Sequence, residues 1–188
     1  MNKNNIDTAA ADLLFELGCE ELPPKSLDLL ARSLFEAFLE QVQKSELSYD
    51  AAESRYFYTP RRLAFRVAGL AARQPDQLLE RKGPSLQAAF DSAGNPTPAA
   101  LGFARSVDRE VGELDRFKTD KGEWLYCQVH KPGQSLADLL FPMLETALAE
   151  LPVAKPMRWA SNDFSFIRPV HWLLVMHGDA VIDGVLFG

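Results

Sequence analysis

Between Lys25 and Lys44 the apolar residues Leu27, Leu30, Ala31, Leu34, Phe38 and Val42 return at three- and four-residue steps, while Asp28, Arg32, Glu36 and Glu40 take the other face. Side chains at that period share one side of an α-helix, so the segment predicts an amphipathic helix with one apolar stripe to bury. What precedes it narrows the fold further. The apolar run Leu13, Leu14, Phe15 and Leu17 is short, stops at Gly18, and leads through Glu20, Glu21 and Leu22 to Pro23 and Pro24. It reads as a buried strand ending in a turn, after which the prolines start the helix.

The rest of the chain alternates between strand and helix signals. Tyr56 to Tyr58 and Leu63 to Val67 read as two strands around the turn Thr59-Pro60-Arg61-Arg62. Two-residue alternation puts Leu63, Phe65 and Val67 on one side and Arg62, Ala64 and Arg66 on the other, which predicts a positive face. From Gln74 to Thr97 the density of Pro75, Gly83, Pro84, Gly94, Asn95 and Pro96 predicts loops around short helices and an internal boundary near residues 74–97. Thr97 is placed to cap a short helix through Arg105, with Pro98 in its first turn. Leu114 to Lys118 and Trp124 to Val129 form a predicted hairpin across residues 119–122. Ser135 to Leu151 returns to helical spacing, with Pro142 calling for a kink or a later start. Val170 to Met176 and Ala180 to Phe187 read as strands joined at His177-Gly178-Asp179. This order predicts an α+β fold of mainly antiparallel sheet with packed helices. Residues 1–11 read as a flexible N-terminus and 12–188 as one α+β region, and the stop directly after an apolar strand reads as the cut end of a longer chain.

Composition sets limits on function. With 47% of 188 residues hydrophobic, the chain can build a sizeable core. No apolar run approaches the roughly 18 to 20 residues of a membrane span, and the start lacks the basic and apolar segments of a signal peptide, so a cytoplasmic location is expected. Cys19 and Cys127 stand far apart without a partner pattern and are expected to be buried reduced thiols. A net charge of -6 opposes a general nucleic-acid surface, so any RNA contact must be local. The basic residues that gather are Arg55, Arg61, Arg62 and Arg66, then Arg81 with Lys82, then Arg158 with Arg168.

Local catalytic signatures are missing: the chain carries no P-loop, no GxGxxG, no GxSxG and no HExxH. His171 and His177 could share a strand face, but six extended residues separate them by about 20 Å, too far for one metal ion. No metal site is expected. Glu16, Glu20 and Glu21 before Pro23 mark either a binding edge or a solvated turn whose carboxylates favour the following helix. Thr59, Arg61 and Arg62 mark either a phosphate or carboxylate clamp or an ordinary hairpin turn. Met157, Arg158, Trp159, Phe164, Phe166, Arg168, His171 and Trp172 interleave aromatics with arginines, the composition that stacks single-stranded nucleic acid and equally that of an aromatic core corner.

Five segments together resemble the beta chain of bacterial glycyl-tRNA synthetase: LLFELGCEELPPK at 13–25, TPRRLA at 59–64, RKGP at 81–84, AFDSAGNPTPAALGFARS at 89–106 and PMRWASNDFSFIRPVHWL at 156–173. Cys19 departs from the resemblance, which leads one to expect Thr or another small residue there. The resemblance implies an assembly of two alpha and two beta chains, in which alpha carries the class II catalytic core and binds ATP and magnesium, and this region binds no cofactor of its own. It implies contact with tRNA-Gly or with the alpha chain, for which Arg61, Arg62, Arg66, Arg158 and Arg168 are the candidate residues. It also suggests a fold similar to the editing-type domain of phenylalanyl-tRNA synthetase, with Glu20, Glu21 and Thr59 as the candidate pocket residues of a hydrolytic or small-molecule-binding alternative. Glycine is the smallest amino acid, so a snug site can exclude competitors sterically, which lessens the need for such a second sieve. A closed pocket near Glu20, Thr59 and Arg61 would support the hydrolytic alternative, and an open surface would support binding.

Overall fold

A computed structural model describes residues 9–120, 122–153, 156–158 and 165–186. The chain forms two compact units, one made of the segments up to Pro75 and from Gly133 onward, the other of Asp76–Pro132. The smaller unit is thus an insertion in the larger one.

In the larger unit, strands β1 (Ala11–Cys19), β2 (Asp50–Thr59), β3 (Arg62–Leu70), β7 (Val170–His177) and the two-residue β8 (Ala180–Val181) form one sheet in the order β2-β3-β1-β7-β8. Every neighbouring pair is antiparallel. Helix α1 (Leu27–Lys44) follows a single 3-10 turn at Pro24–Ser26 and packs on β2, β3 and α4 (Leu136–Ala149). Its apolar stripe is buried as the spacing predicts, and it meets Leu13, Phe15 and Leu17 of β1 and Leu63, Phe65 and Val67 of β3. Phe65 stacks between Phe15 at 5.1 Å and Phe38 at 4.7 Å. Each such ring contributes about 1.5–3 kcal/mol through burial alone. Helix α4 starts at Leu136 with the Ser135 hydroxyl accepting from the Asp138 amide, and it runs through Pro142.

In the smaller unit, β4 (Gln77–Ser85), β5 (Asp115–Thr119) and β6 (Gly122–Lys131) form an antiparallel sheet in the order β4-β6-β5. Helices α2 (Leu86–Ala89) and α3 (Pro98–Ser106) join it around a core of Ala89, Ala100, Ala104, Val107, Leu114, Leu125 and Cys127. The helix side comes very close to the sheet: a Cβ on Gly83 would lie 2.5 Å from the Phe103 ring.

Three expectations are corrected. The segment read as loops around short helices holds the nine-residue strand β4, which accommodates Gly83 and Pro84 because it is an edge strand with a register shift between Lys82 and Ser85. Thr97 precedes α3 but its side chain does not cap it, since its hydroxyl donates instead to the Ala88 carbonyl at 2.6 Å. The final strand pairs over two residues only, because the chain then turns inward to bury Ile182 and Leu186 and passes Gly184 against the Phe141 ring. Phe187 lies outside the described residues. No helix among the described residues is long and apolar enough to cross a membrane.

Candidate functional site

Three segments distant in sequence meet at one end of the five-stranded sheet. Past β1, the Cys19 amide donates to the Arg61 carbonyl at 3.0 Å, the Glu20 amide to Pro169 at 3.0 Å and the Leu22 amide to Pro60 at 2.7 Å. The Leu17-to-Pro24 stretch, the β2–β3 turn and the approach to β7 are therefore stitched together by main-chain bonds, which fix the side chains they carry.

Glu20 is the hub. Its Oε2 accepts from Arg61 Nη2 at 2.9 Å and its Oε1 lies 2.8 Å from His171 Nε2. The His171 hydrogen bond and then the Arg61 charge hold the Glu20 carboxyl below its ordinary range, and an ionised carboxylate only accepts, so His171 Nε2 is the donor. The neighbouring Cys19 thiol is pushed up to about 11, first by burial and then by the Glu20 charge. At neutral pH only about one in ten thousand such thiols is ionised, which makes Cys19 a packing residue rather than a nucleophile.

On the uncovered face of the sheet the arginines of β3 are all engaged. Arg62 meets Glu16 at 3.2 Å, and Arg66 meets Asp12 at 2.6 Å. Asp12 also accepts from the Gly69 amide at 3.0 Å, and that bond followed by the Arg66 bond keeps its carboxyl below the usual value. Asp12, Glu16 and Glu20 are spaced four apart and answer Arg66, Arg62 and Arg61 in turn. The β3 face expected to be positive is thus balanced, because β1 supplies Glu16 beside Arg62 and Asp12 beside Arg66, and Glu20 just past β1 does the same for Arg61 in the turn.

Trp172 completes the arrangement. Its indole lies across Gly18 of β1, where a Cβ would sit 2.2 Å from the ring, and Arg62 Cζ is 5.0 Å from the ring centroid. Thr59, Arg61, Arg62, His171, Trp172 and Cys19 line an open cleft of about 260 Å³.

The remaining candidates are dispersed. Glu21 is exposed and contributes its carbonyl, which accepts from Arg168 Nε at 3.1 Å. Arg168 also borders a second cleft of about 330 Å³ with Pro23, Ser26, Leu30, Pro152, Val153 and Ile167. Arg158 is exposed and outside both linings, and Trp159 and Phe164 lie outside the described residues. His177 is buried, with Nε2 donating to the Leu70 carbonyl at 2.9 Å, far in role from His171. Sequence reasoning missed Asp12 altogether and placed His171 in the aromatic–arginine set without connecting it to Glu20. Asp12 shares the two-residue alternation of Leu14, Glu16 and Gly18, which is the signal that would have found it.

Residues 13–188 match the sequence model of a family described as glycyl-tRNA synthetase beta subunit. The chain belongs to this family. It is 47% identical over 180 residues to the glycine–tRNA ligase beta subunit of Tolumonas auensis, covering 96% of this chain and 26% of that protein. The beta subunit of Alteromonas mediterranea is 46% identical over 175 residues, covering 93% and 25%, and that of Hahella chejuensis 44% over 177 residues, covering 94% and 25%. This beta-subunit chain therefore spans about a quarter of the length of the relatives it matches. The cleft is built by three of the segments that carried the resemblance, those around Glu20, Arg61 and His171.

Proposed function

We propose that the chain is the part of glycine–tRNA ligase that docks tRNA-Gly without itself catalysing a step. In this reading the ligase joins glycine to tRNA-Gly at the expense of ATP, in the cytoplasm. The class II active site, with ATP and magnesium, belongs to a separate alpha chain in an assembly of two alpha and two beta chains. The observation that carries the reading is the convergence of three separate segments into an open cleft rich in guanidinium and imidazole donors, with no activated nucleophile on it. An open, donor-lined surface suits binding, whereas a small-molecule site is a concave pocket that buries most of its ligand's surface.

The test is salt-dependent binding of tRNA-Gly to the ligase, comparing the native protein with an Arg61→Ala, Arg62→Ala double variant, alongside a titration of the alpha chain. Weaker tRNA binding in the double variant supports docking. Unchanged tRNA binding with impaired alpha binding makes this end of the sheet an assembly surface. If neither changes while mischarged tRNA is deacylated less well, the cleft is an editing pocket and the docking reading falls.

A further inference from the structure

The cleft has an unusual combination of features for a surface that meets RNA. Arg61 is paired with Glu20, and Arg62 with Glu16, so the positive charge available to phosphate is largely spent within the protein. What is left is geometry: the flat indole of Trp172, a residue 42% exposed, lies across a glycine, with the Arg62 guanidinium carbon 5.0 Å from the ring centroid. Around that shelf stand Thr59, Arg61 and His171. Arg61 and His171 are both oriented by one carboxylate. At about 260 Å³ the cleft is smaller than the roughly 300–1,000 Å³ that holds a drug-sized ligand, and fits one planar ring with its substituent left outside.

Resting on the docking reading above, the geometry points to a recognition site for one unpaired nucleotide of RNA, its base stacked on the Trp172–Arg62 shelf and its edge met by Thr59, Arg61 and His171. Aromatic side chains and arginine planes are the usual partners of splayed-out RNA bases. A base is a neutral, planar group with donors and acceptors on its rim, and a charge-balanced cleft with a flat floor complements it where it would not complement a phosphate. The Glu16 and Glu20 carboxylates have a purpose in this arrangement: they hold the Arg62 and Arg61 guanidiniums in place and keep the cleft from attracting any polyanion indiscriminately. Gly18 has one too, since any side chain there would push the indole off β1.

The experiment measures tRNA-Gly affinity of the ligase as a function of salt for the native protein and for Trp172→Ala and Trp172→Phe. The expected result is a loss of between about fivefold and 150-fold for Trp172→Ala, the range that stacking on one aromatic supports, with most of it restored by Trp172→Phe. The salt slope stays unchanged because no phosphate contact is removed. Equal binding by all three proteins overturns the stacking site. If the Arg61→Ala, Arg62→Ala variant still binds more weakly with a shallower slope, phosphate contacts carry docking and only this inference fails. A second arm follows the change in tryptophan fluorescence that disappears in Trp172→Phe. A change on adding tRNA-Gly but not ATP supports an RNA base as the occupant, and a change with ATP alone assigns the shelf to a free nucleotide and overturns the RNA source.

Discussion

Beneath the five-stranded sheet lie Phe15, Phe38 and Phe65 in a continuous stack, with leucines of β1, β3, α1 and α4 around them; beneath the three-stranded sheet the corresponding places are taken by Ala89, Ala100 and Ala104. The larger unit gets its stability from bulk, which leaves its outer face free to carry charge pairs and an exposed indole. The smaller unit has little apolar area to bury, so it depends on close approach, with Gly83 letting the Phe103 ring come down onto β4. The candidate cleft sits on the unit whose core can support a decorated surface.

That contrast can be broken most directly at Phe38. Replacement by Ala should cost about 3–5 kcal/mol, since it removes a buried ring from the centre of the stack. Amide exchange should then accelerate in residues 9–75 and 133–186 while residues 76–132 keep their protection; uniform loss across both units would mean they are not separate in stability. Leu125→Ala is the reciprocal probe. It should cost about 2–3 kcal/mol, the low end for a leucine because the thin core can collapse around it, and its exchange signature should stay within 76–132. Gly18→Ala should cost about 1 kcal/mol in denaturant, since the half-exposed indole it strikes can swing aside, and should shift tryptophan fluorescence. An unshifted spectrum would show that the ring does not rest on β1.

The smallest effect concerns Glu20. Its folded carboxyl lies below the ordinary value, first through His171 and then through Arg61, so its stabilising contribution is complete above the usual carboxylate range and is lost as pH falls through the lower folded value. Side-chain NMR of the ligase should show Glu20 titrating below a reference glutamate. A value at or above the reference would mean that the hub is not formed in solution.

How much of this was legible follows from the range of each signal. Helix α1, strand β1 and the β2–β3 and β5–β6 hairpins rest on periodicity and turn chemistry within a few residues, and the sequence reading finds all four. Strand β4 is missed because Gly83 and Pro84 resemble loop punctuation, and nothing local tells that β6 will pair beside them at the sheet edge. The Asp12–Arg66 pair is 54 residues apart and exists only because of the register of β1 against β3, which no local pattern encodes. For the same reason the arginines of β3 look like free positive charge in the sequence and are neutralised in the fold. His171 and Glu20, 151 residues apart, illustrate the point most plainly: the sequence marks each as a candidate for a different reason, and only the pairing of β7 with β1 brings them together.

The insertion leaves and re-enters the larger unit through a single gap. The Gln74 amide donates to the Gln134 carbonyl at 3.0 Å, the Gln134 amide returns a bond to the Gln74 side chain at 3.0 Å, and Gly133 fits where a Cβ would lie 2.0 Å from the Gln74 carbonyl oxygen. Two chain ends held that close make the intervening segment a closed loop in the polymer sense. The entropy of closing such a loop grows only with the logarithm of its length, by roughly 0.6 kcal/mol per doubling. On that term alone, the closure at Gln74 and Gln134 is nearly indifferent to the length of chain carried between Pro75 and Gly133.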